Sequence, residues 1–146
     1  MKIPTRVRYG TRLMLDLALN YGQGALFLKD IAEREEISEK YLSQIIIPLR
    51  TAGLVNSFRG AQGGYALAKL PSQITVKDIV EILEGGLDLL ESVKDPAIYN
   101  KVSICVTHEL WNKVSKRIAE TLAAMTLEDL VKEYQGKEGK TLLYNI

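Results

Sequence analysis

Residues 28–68 read LKDIAEREEISEKYLSQIIIPLRTAGLVNSFRGAQGGYALA, and their hydrophobic spacing changes in the middle. In the first part the apolar residues recur every three or four positions, which is typical of helices, and in the second part they alternate, as in strands. Gly60, Gly63 and Gly64 permit positive φ and a tight reversal between the strands. The stretch therefore predicts short helices followed by a β-hairpin with Arg59 near its tip.

The two helices define the type of domain. The second helix is expected to begin at Ser38, its N-cap, and to end near Ala52 before Gly53. Its core-facing stripe consists of Leu42, Ile45, Ile46 and Leu49. Pro48 predicts a bend or an early 3₁₀ turn. Two short helices followed at once by a hairpin form a winged helix-turn-helix, whereas the glycine-rich turn alone is equally compatible with an ordinary surface hairpin.

Four further helices are expected outside this unit. The first runs from Thr5, as N-cap, to about Tyr21, and the next is capped by Thr75 and Asp78 and stopped by Gly85. Residues 87–104 are irregular in pattern. A long helix follows from Val106 to about Ala124, and a last short helix starts at Thr126 and ends near Gly136.

The predicted fold is thus mainly α with a small β-hairpin, and it divides the chain into three parts. Residues 1–86 form a winged helix-turn-helix DNA-binding domain, and residues 87–105 form a loop. Residues 106–146 form a dimerisation helix, a short helix and a tail. A helix as apolar as the long one, after an already complete domain, is expected to pack against a second copy. The interface residues are Leu110, Trp111, Val114, Ile118 and Leu122.

Composition and charge limit the class of protein. The 146 residues suit a single domain, and charges such as Asp16 interrupt the apolar stretches, so we expect a soluble protein with no signal peptide or membrane span. The single cysteine, Cys105, excludes an intrachain disulfide and suits a reducing cytoplasm.

The net charge of +1 conceals an asymmetry between the two halves of the chain. Residues 1–70 carry ten Lys and Arg against six Asp and Glu, whereas residues 71–146 carry nine against twelve. A basic N-terminal half suggests contact with a polyanion, although a solvated face also produces such an imbalance.

The second helix and the hairpin supply the candidate DNA contacts. Short polar side chains near a helix N-terminus fit the major groove, where Gln44 suits adenine and Lys40 suits phosphate. Arg59 would reach the DNA backbone or the adjacent minor groove, and the glycines would allow a close approach. The candidate DNA-binding residues are Arg8, Ser38, Lys40, Tyr41, Ser43, Gln44, Arg59, Gly60, Gly63 and Gly64.

Two other functional classes are less compatible with the sequence. An enzyme lacks support because the chain has one histidine and no Walker or dinucleotide-binding motif. A winged helix that binds only protein is disfavoured by the basic half and Arg59, and a salt-dependent affinity for duplex DNA separates it from a DNA-binding regulator.

Together these segments resemble a known family of bacterial winged-helix regulators. The stretches RYGTRLMLDLAL, LKDIAEREEISEKYLSQIIIPLRTAGLV, RGAQGGYALA, ITVKDIVEILEG and LWNKVSKRIAETLAAMTLEDLV resemble the family of the iron-sulfur cluster regulator, the nitric-oxide-sensitive repressor and the cysteine-metabolism repressor. The resemblance covers nearly the whole chain and implies a dimeric cytoplasmic transcription factor whose long helix crosses that of its partner. Glu36 departs from the glycine frequent there and costs about 1 kcal/mol if the turn is left-handed.

Many members of this family bind an iron-sulfur cluster through three cysteines before the long helix. Here Ser92 and Tyr99 stand where such relatives have cysteine, which leaves Ser92, Tyr99, Cys105 and His108 as a candidate remnant site. One thiolate and one imidazole are a poor ligand set, so no cluster or metal is expected. Either the lineage lost the site or the chain was altered, and Cys105 and His108 are also compatible with purely structural roles.

The resemblance implies a repressor of iron-sulfur cluster biogenesis or related sulfur metabolism that binds a pseudo-palindromic DNA operator as a homodimer. The alternative is a cysteine-metabolism repressor that acts with cysteine synthase and needs no metal cofactor. In that case Tyr144 and Ile146 of the C-terminal LLYNI would form a partner-binding tail, since a terminal carboxylate beside an aliphatic side chain is readily recognised. Otherwise the tail packs on its own dimer.

Overall fold

The fold is a small helical domain with one hairpin, seen in a computed structural model that describes residues 2–87 and 101–144, the last four by their main chain only. The described helices and strands are, in chain order, α1 Thr5–Leu19, α2 Leu28–Glu35, α3 Glu39–Thr51, β1 Val55–Phe58, β2 Gly64–Leu67, α4 Val76–Glu84, α5 Val102–Ala123 and α6 Leu127–Tyr144. The mainly helical class with a small hairpin is confirmed. In this described part, no helix combines the length and apolar character that a membrane span requires.

The core lies between α1, α3 and α4 and is closed by α2 and the start of α6. The predicted stripe of α3 is buried, with Leu42, Ile45, Ile46 and Leu49 at most 2% exposed. Gly10 brings α1 close to α4, because a Cβ at this position would collide with the side chain of Leu83. The helix that carries the candidate base-reading residues is therefore held from several sides.

The ends of α3 follow the predicted capping chemistry. Ser38 Oγ accepts a hydrogen bond from the Tyr41 amide at 3.3 Å. At the other end, Gly53 has φ 82° and donates to the carbonyl of Arg50, while Leu54 donates to that of Leu49, which is a Schellman motif. A bend or an early 3₁₀ turn was expected at Pro48; the 3₁₀ turn is wrong, since α3 remains α-helical to Thr51, and the bend stays a prediction.

The turn between α2 and α3 contains a strained residue. Glu36 has φ 55° and ψ 43°, and it is the one non-glycine residue with positive φ in the described part of the chain. A side chain in the left-handed region costs about 1–2 kcal/mol. The helix-turn-helix therefore contains a backbone penalty that a glycine would relieve.

We expect Glu36→Gly to raise the free energy of unfolding by about 0.5–1 kcal/mol, because relief of strain exceeds the added entropy of the unfolded chain. Urea denaturation measures the change. Glu33→Gly is the matched control: Glu33 is an exposed residue inside α2, where glycine lowers stability by about 1 kcal/mol. A loss of stability in both variants would contradict the strain at Glu36.

The hairpin is the expected wing, with Val55 opposite Leu67 and Phe58 opposite Gly64. Leu26 and Tyr65 exchange two backbone hydrogen bonds of 2.7 and 2.8 Å, so the segment before α2 extends this small sheet. Gly60 and Gly64 have positive φ as predicted, but Gly63 does not.

The expected boundaries of three helices are wrong. The first helix ends at Leu19, and Pro4, instead of Thr5, is its N-cap. The long helix α5 begins at Val102, so residues 102–105 belong to a helix and not to the predicted loop. The last helix runs through Gly136 to Tyr144. Its predicted start is confirmed: Thr126 donates its amide proton to Asp129 at 2.9 Å, which lowers the pKa of that carboxyl.

Asp16, which the sequence analysis treated only as a charge that interrupts an apolar stretch, is buried in α1. Its Oδ2 accepts no hydrogen bond from the described residues and lies 3.5 Å from Arg34 Nη2. Burial, reinforced by the negative charge of Glu35, raises the pKa of Asp16 from 3.8 to about 6, although Arg34 lowers it. Tyr134 and Glu138 of α6 line the same surface groove.

A pKa raised by folding means that the native state favours protonated Asp16. Stability linked to this group is present at acid pH and is lost as the pH rises through about 6. We therefore expect Asp16→Asn to become more stable than the wild type by about 1–2 kcal/mol above pH 7, with the gap closing toward pH 4. Urea denaturation between pH 4 and pH 8 measures this difference, and parallel curves would contradict it.

Candidate nucleic-acid interface

The outward face of α3 carries polar side chains on a rigid support. Lys40, Ser43 and Gln44 are exposed on the side opposite the buried stripe. The amide of Gln44 has no hydrogen-bond partner in the described part of the chain, so both its donor and its acceptor can meet a base edge. This is the arrangement that bidentate recognition of adenine requires.

Ser43 is available to DNA as a hydrogen-bond acceptor and not as a donor. Its hydroxyl donates to the carbonyl of Lys40 at 2.6 Å. With its proton engaged, Ser43 Oγ can only accept a hydrogen bond, which suits the amino group of cytosine or adenine.

A surface depression of about 470 Å³ joins the start of α1 to the start of α3. It is lined by Thr5, Tyr9, Glu36, Ile37, Ser38, Lys40, Tyr41 and Gln44. Tyr9 and Tyr41 meet edge to face, with ring centroids 5.7 Å apart. Tyr41, predicted as a DNA contact, is half-buried and packs α1 against α3, which we call the recognition helix.

Two arginines of α1 lie beside this depression. The guanidinium carbons of Arg8 and Arg12 are each 5.8 Å from the centre of the Tyr9 ring. Arg8 is exposed, and within the described residues it donates to Thr5 Oγ1, one turn away, at 3.2 Å. Contact of Arg8 with a DNA phosphate stays a prediction.

Arg12 is a residue that the sequence analysis missed. Its Nη2 donates to Glu35 Oε2 at 2.7 Å and to the Glu35 carbonyl at 2.6 Å. The guanidinium thereby closes the last turn of α2 and holds the helix-turn-helix against α1. Its position one helical turn after Arg8 was the available signal, but only the fold identifies Glu35 as the partner.

The wing places Arg59 directly after β1, where its side chain is exposed. Within the described residues it forms no ion pair. The wing is joined to the recognition helix by Arg50, whose Nη1 lies 3.5 Å from Ser57 Oγ. The wing that carries Arg59 is therefore in contact with the C-terminal part of α3.

The wing glycines have a role inside the hairpin. A Cβ at Gly63 would lie 2.6 Å from the carbonyl oxygen of Phe58, and one at Gly64 would collide with the carbonyl oxygen of Leu26. These two glycines therefore permit close packing of the protein backbone itself. Gly60 lies in open space with φ 98° and shapes the tip. Contact of the three glycines with DNA stays a prediction.

The apolar side of α5 is exposed in the single chain. Four residues form what we call the α5 apolar surface, with exposed fractions of 78% for Val102, 59% for Val106, 49% for Leu110 and 42% for Trp111. Of the predicted interface residues, Leu110 and Trp111 belong to this surface. The other three, Val114, Ile118 and Leu122, are already half-buried. Val102 was missed because the helix begins earlier than its pattern indicates, whereas Val106 stands at the predicted start of the helix and was not assigned to the interface.

The predicted remnant site lies partly outside the described residues. Cys105 and His108 are half-buried in α5, and Ser92 and Tyr99 lie outside the described residues. No group of three His, Cys, Asp or Glu side chains converges in residues 2–87 or 101–140. Because the chain has one cysteine, the available donors do not fit an iron-sulfur cluster, which requires mostly thiolates. Ile146 lies outside the described residues. Tyr144 is the last residue of α6, and only its main chain is described.

The sequence is similar to those of known transcriptional regulators. The Rrf2 model, described as an iron-dependent transcriptional regulator, matches residues 3–133. The chain is 40% identical over 144 residues to the HTH-type transcriptional regulator CymR of Bacillus subtilis, with 99% of both proteins covered.

Two solved structures give the same result. The structure of CymR, the global cysteine regulator of B. subtilis, matches this chain with a TM-score of 0.76 and 41% sequence identity. The match covers 91% of this chain and 98% of the CymR chain. The structure of T. potens IscR matches with a TM-score of 0.75 and 44% sequence identity. That match covers 92% of this chain and 88% of the IscR chain.

These relatives are transcriptional regulators, and their similarity extends along nearly the whole chain. The recognition helix, the wing and the core that joins them are those of a winged helix-turn-helix. The family predicted from the sequence is confirmed: the chain belongs to the Rrf2 family and is a DNA-binding transcriptional regulator.

Proposed function

We propose that the chain represses transcription by binding a pseudo-palindromic operator as a homodimer. The observation that carries this proposal is the exposed polar face of α3, where the Gln44 amide has no hydrogen-bond partner within the described residues, together with an exposed arginine in the wing. Lys40, Arg8 and Ser38 contact phosphates, Gln44 and Ser43 contact base edges, and Arg59 enters the minor groove or contacts its backbone.

The α5 apolar surface supports a dimer. Of the 22 residues of α5, one, Ser115, is buried among the described residues, although the helix presents Val102, Val106, Leu110 and Trp111. Contiguous exposed apolar residues typically mark an interaction site. A second copy would cover this surface by the same residues across a two-fold axis, as in most homodimers. Two recognition helices would then meet half-sites about 34 Å apart, or a multiple of that distance.

The proposed repressor binds its operator without a metal cofactor. The support is the donor set, since Cys105 is the only thiol that one chain can offer. The names of two relatives, the global cysteine regulator CymR and IscR, favour target genes of sulfur metabolism or iron-sulfur biogenesis. No catalytic step is part of this function.

The similarity to CymR, a cysteine regulator, favours a second candidate function in which the repressor acts with cysteine synthase. Tyr144 and Ile146 would then belong to a tail that binds the synthase. Deletion of Ile146 is expected to abolish binding to the synthase of the same organism in calorimetry and to leave the melting temperature unchanged. A large loss of stability would assign the tail to packing in the dimer.

The test of the main proposal is selection of a duplex from a random library by the purified apo protein, followed by footprinting and a salt titration. We expect a pseudo-palindromic site and an affinity that falls steeply with salt, because Lys and Arg displace counterions from phosphates. Binding of equal strength to all duplexes, or no binding, would contradict an operator-specific regulator.

A further inference from the structure

Ile47 is an exposed apolar residue on the same face of α3 as Ser43 and Gln44. Its side chain is 54% exposed, whereas the other large aliphatic residues of the same helix are buried. A β-branched side chain in a helix has one strongly preferred rotamer, so Ile47 is already ordered before any partner binds. Its exposure therefore places a fixed apolar group at the protein surface.

The position of Ile47 is central to the proposed base-reading surface. It follows Gln44 by three residues and Ser43 by four, so the three side chains are neighbours on one face of the helix. Helical side chains lean toward the N-terminus, which brings Ile47 over the turn that holds Ser43 and Gln44. Any base edge that these two residues reach is also close to Ile47.

The hydroxyl groups next to Ile47 are turned back onto the helix. Ser43 donates to the carbonyl of Lys40 at 2.6 Å, and Thr51 donates to the carbonyl of Ile47 itself at 2.9 Å. Residues 43, 47 and 51 succeed each other at steps of four along the helix. Because both hydroxyl protons are engaged, this row offers DNA the apolar side chain of Ile47 with no free hydroxyl donor on either side of it.

We propose that Ile47 contacts the 5-methyl group of a thymine in each half-site and so determines part of the operator sequence. The methyl group of thymine is the apolar feature that a base pair presents in the major groove. Cytosine at the same position carries a hydrogen at C5 in place of the methyl group, so Ile47 would lose this apolar contact. This inference rests on the proposed function, since it needs α3 in the major groove.

The test uses the duplex that the wild-type protein selects from a random library. Each thymine is replaced in turn by uracil, which removes the methyl group and keeps every hydrogen-bonding atom. We expect one position in each half-site where uracil weakens wild-type binding about four-fold, the equivalent of one buried methyl-sized group. Ile47→Ala is expected to bind the thymine and uracil duplexes equally at that position.

Gln44→Ala is the matched control. It removes a neighbouring side chain of the same face, and we expect it to lose an adenine preference while it keeps the four-fold discrimination between thymine and uracil. Circular dichroism checks that both variants fold. If no thymine shows a uracil effect that Ile47→Ala abolishes, the inference is wrong, even though specific binding of the duplex upholds the proposed function. If no duplex is selected, the proposed function itself fails and the inference fails with it.

Discussion

The double variant Val106→Glu, Leu110→Glu is expected to be monomeric and to bind the selected operator at least about 100-fold more weakly than the wild type. Both side chains belong to the α5 apolar surface and are about half exposed in the single chain, so the substitutions leave the core untouched. Four glutamates facing each other across a two-fold axis would repel, and each recognition helix would lose the avidity that the second one provides.

Analytical ultracentrifugation and an operator titration measure the two effects. Asn112→Glu is the control. Asn112 is exposed on the opposite side of α5 from Leu110, so this substitution adds a charge to the same helix away from the α5 apolar surface. It is expected to remain dimeric. A wild-type chain that sediments as a monomer at micromolar concentration would refute the proposed interface.

Arg59→Ala is expected to weaken operator binding by about 1–3 kcal/mol, or roughly 10-fold to 100-fold. The side chain is exposed at the start of the wing tip and forms no described ion pair, so its removal costs DNA contacts and leaves the fold intact. Titration of labelled operator at fixed salt, with thermal melts beside it, measures both quantities.

The salt dependence of Arg59→Ala then tells which DNA group the arginine contacts. A phosphate contact would reduce the slope of log affinity against log salt by about one and weaken all sequences alike. A minor-groove contact would weaken A·T-rich narrow grooves most. Lys69→Ala, an exposed cation just beyond β2, controls for the general loss of charge. Equal affinity of Arg59→Ala and the wild type would remove Arg59 from the interface.

The α3 and wing segments were predictable because their signals are local. Ser38 caps α3, Gly53 ends it, and the buried stripe has helical spacing, so each choice depends on residues within about one turn. The capping pairs Thr75 with Asp78 and Thr126 with Asp129 succeeded for the same reason. Local hydrogen bonds between neighbours leave a sequence signature that tertiary contacts do not need to supply.

The errors occur where packing overrides local preference. Pro48 removes one backbone hydrogen bond, yet Ile46 and Leu49 on either side of it are buried and hold α3 in helical form. Gly136 was expected to end the last helix, but glycine costs only about 1 kcal/mol within a helix, which flanking turns can offset. Such balances of a few kcal/mol cannot be read from residue types.

Residue patterns and resemblance were therefore enough to predict the winged helix-turn-helix, the family and the set of polar residues that α3 and the wing present. The fold was needed to show which side chains have partners within the protein: Tyr41 packs on Tyr9, and Arg12 binds Glu35. The physical reason is that a pattern along the chain specifies which face of a helix is polar. The partners that saturate each polar or apolar group on that face come from segments distant in sequence.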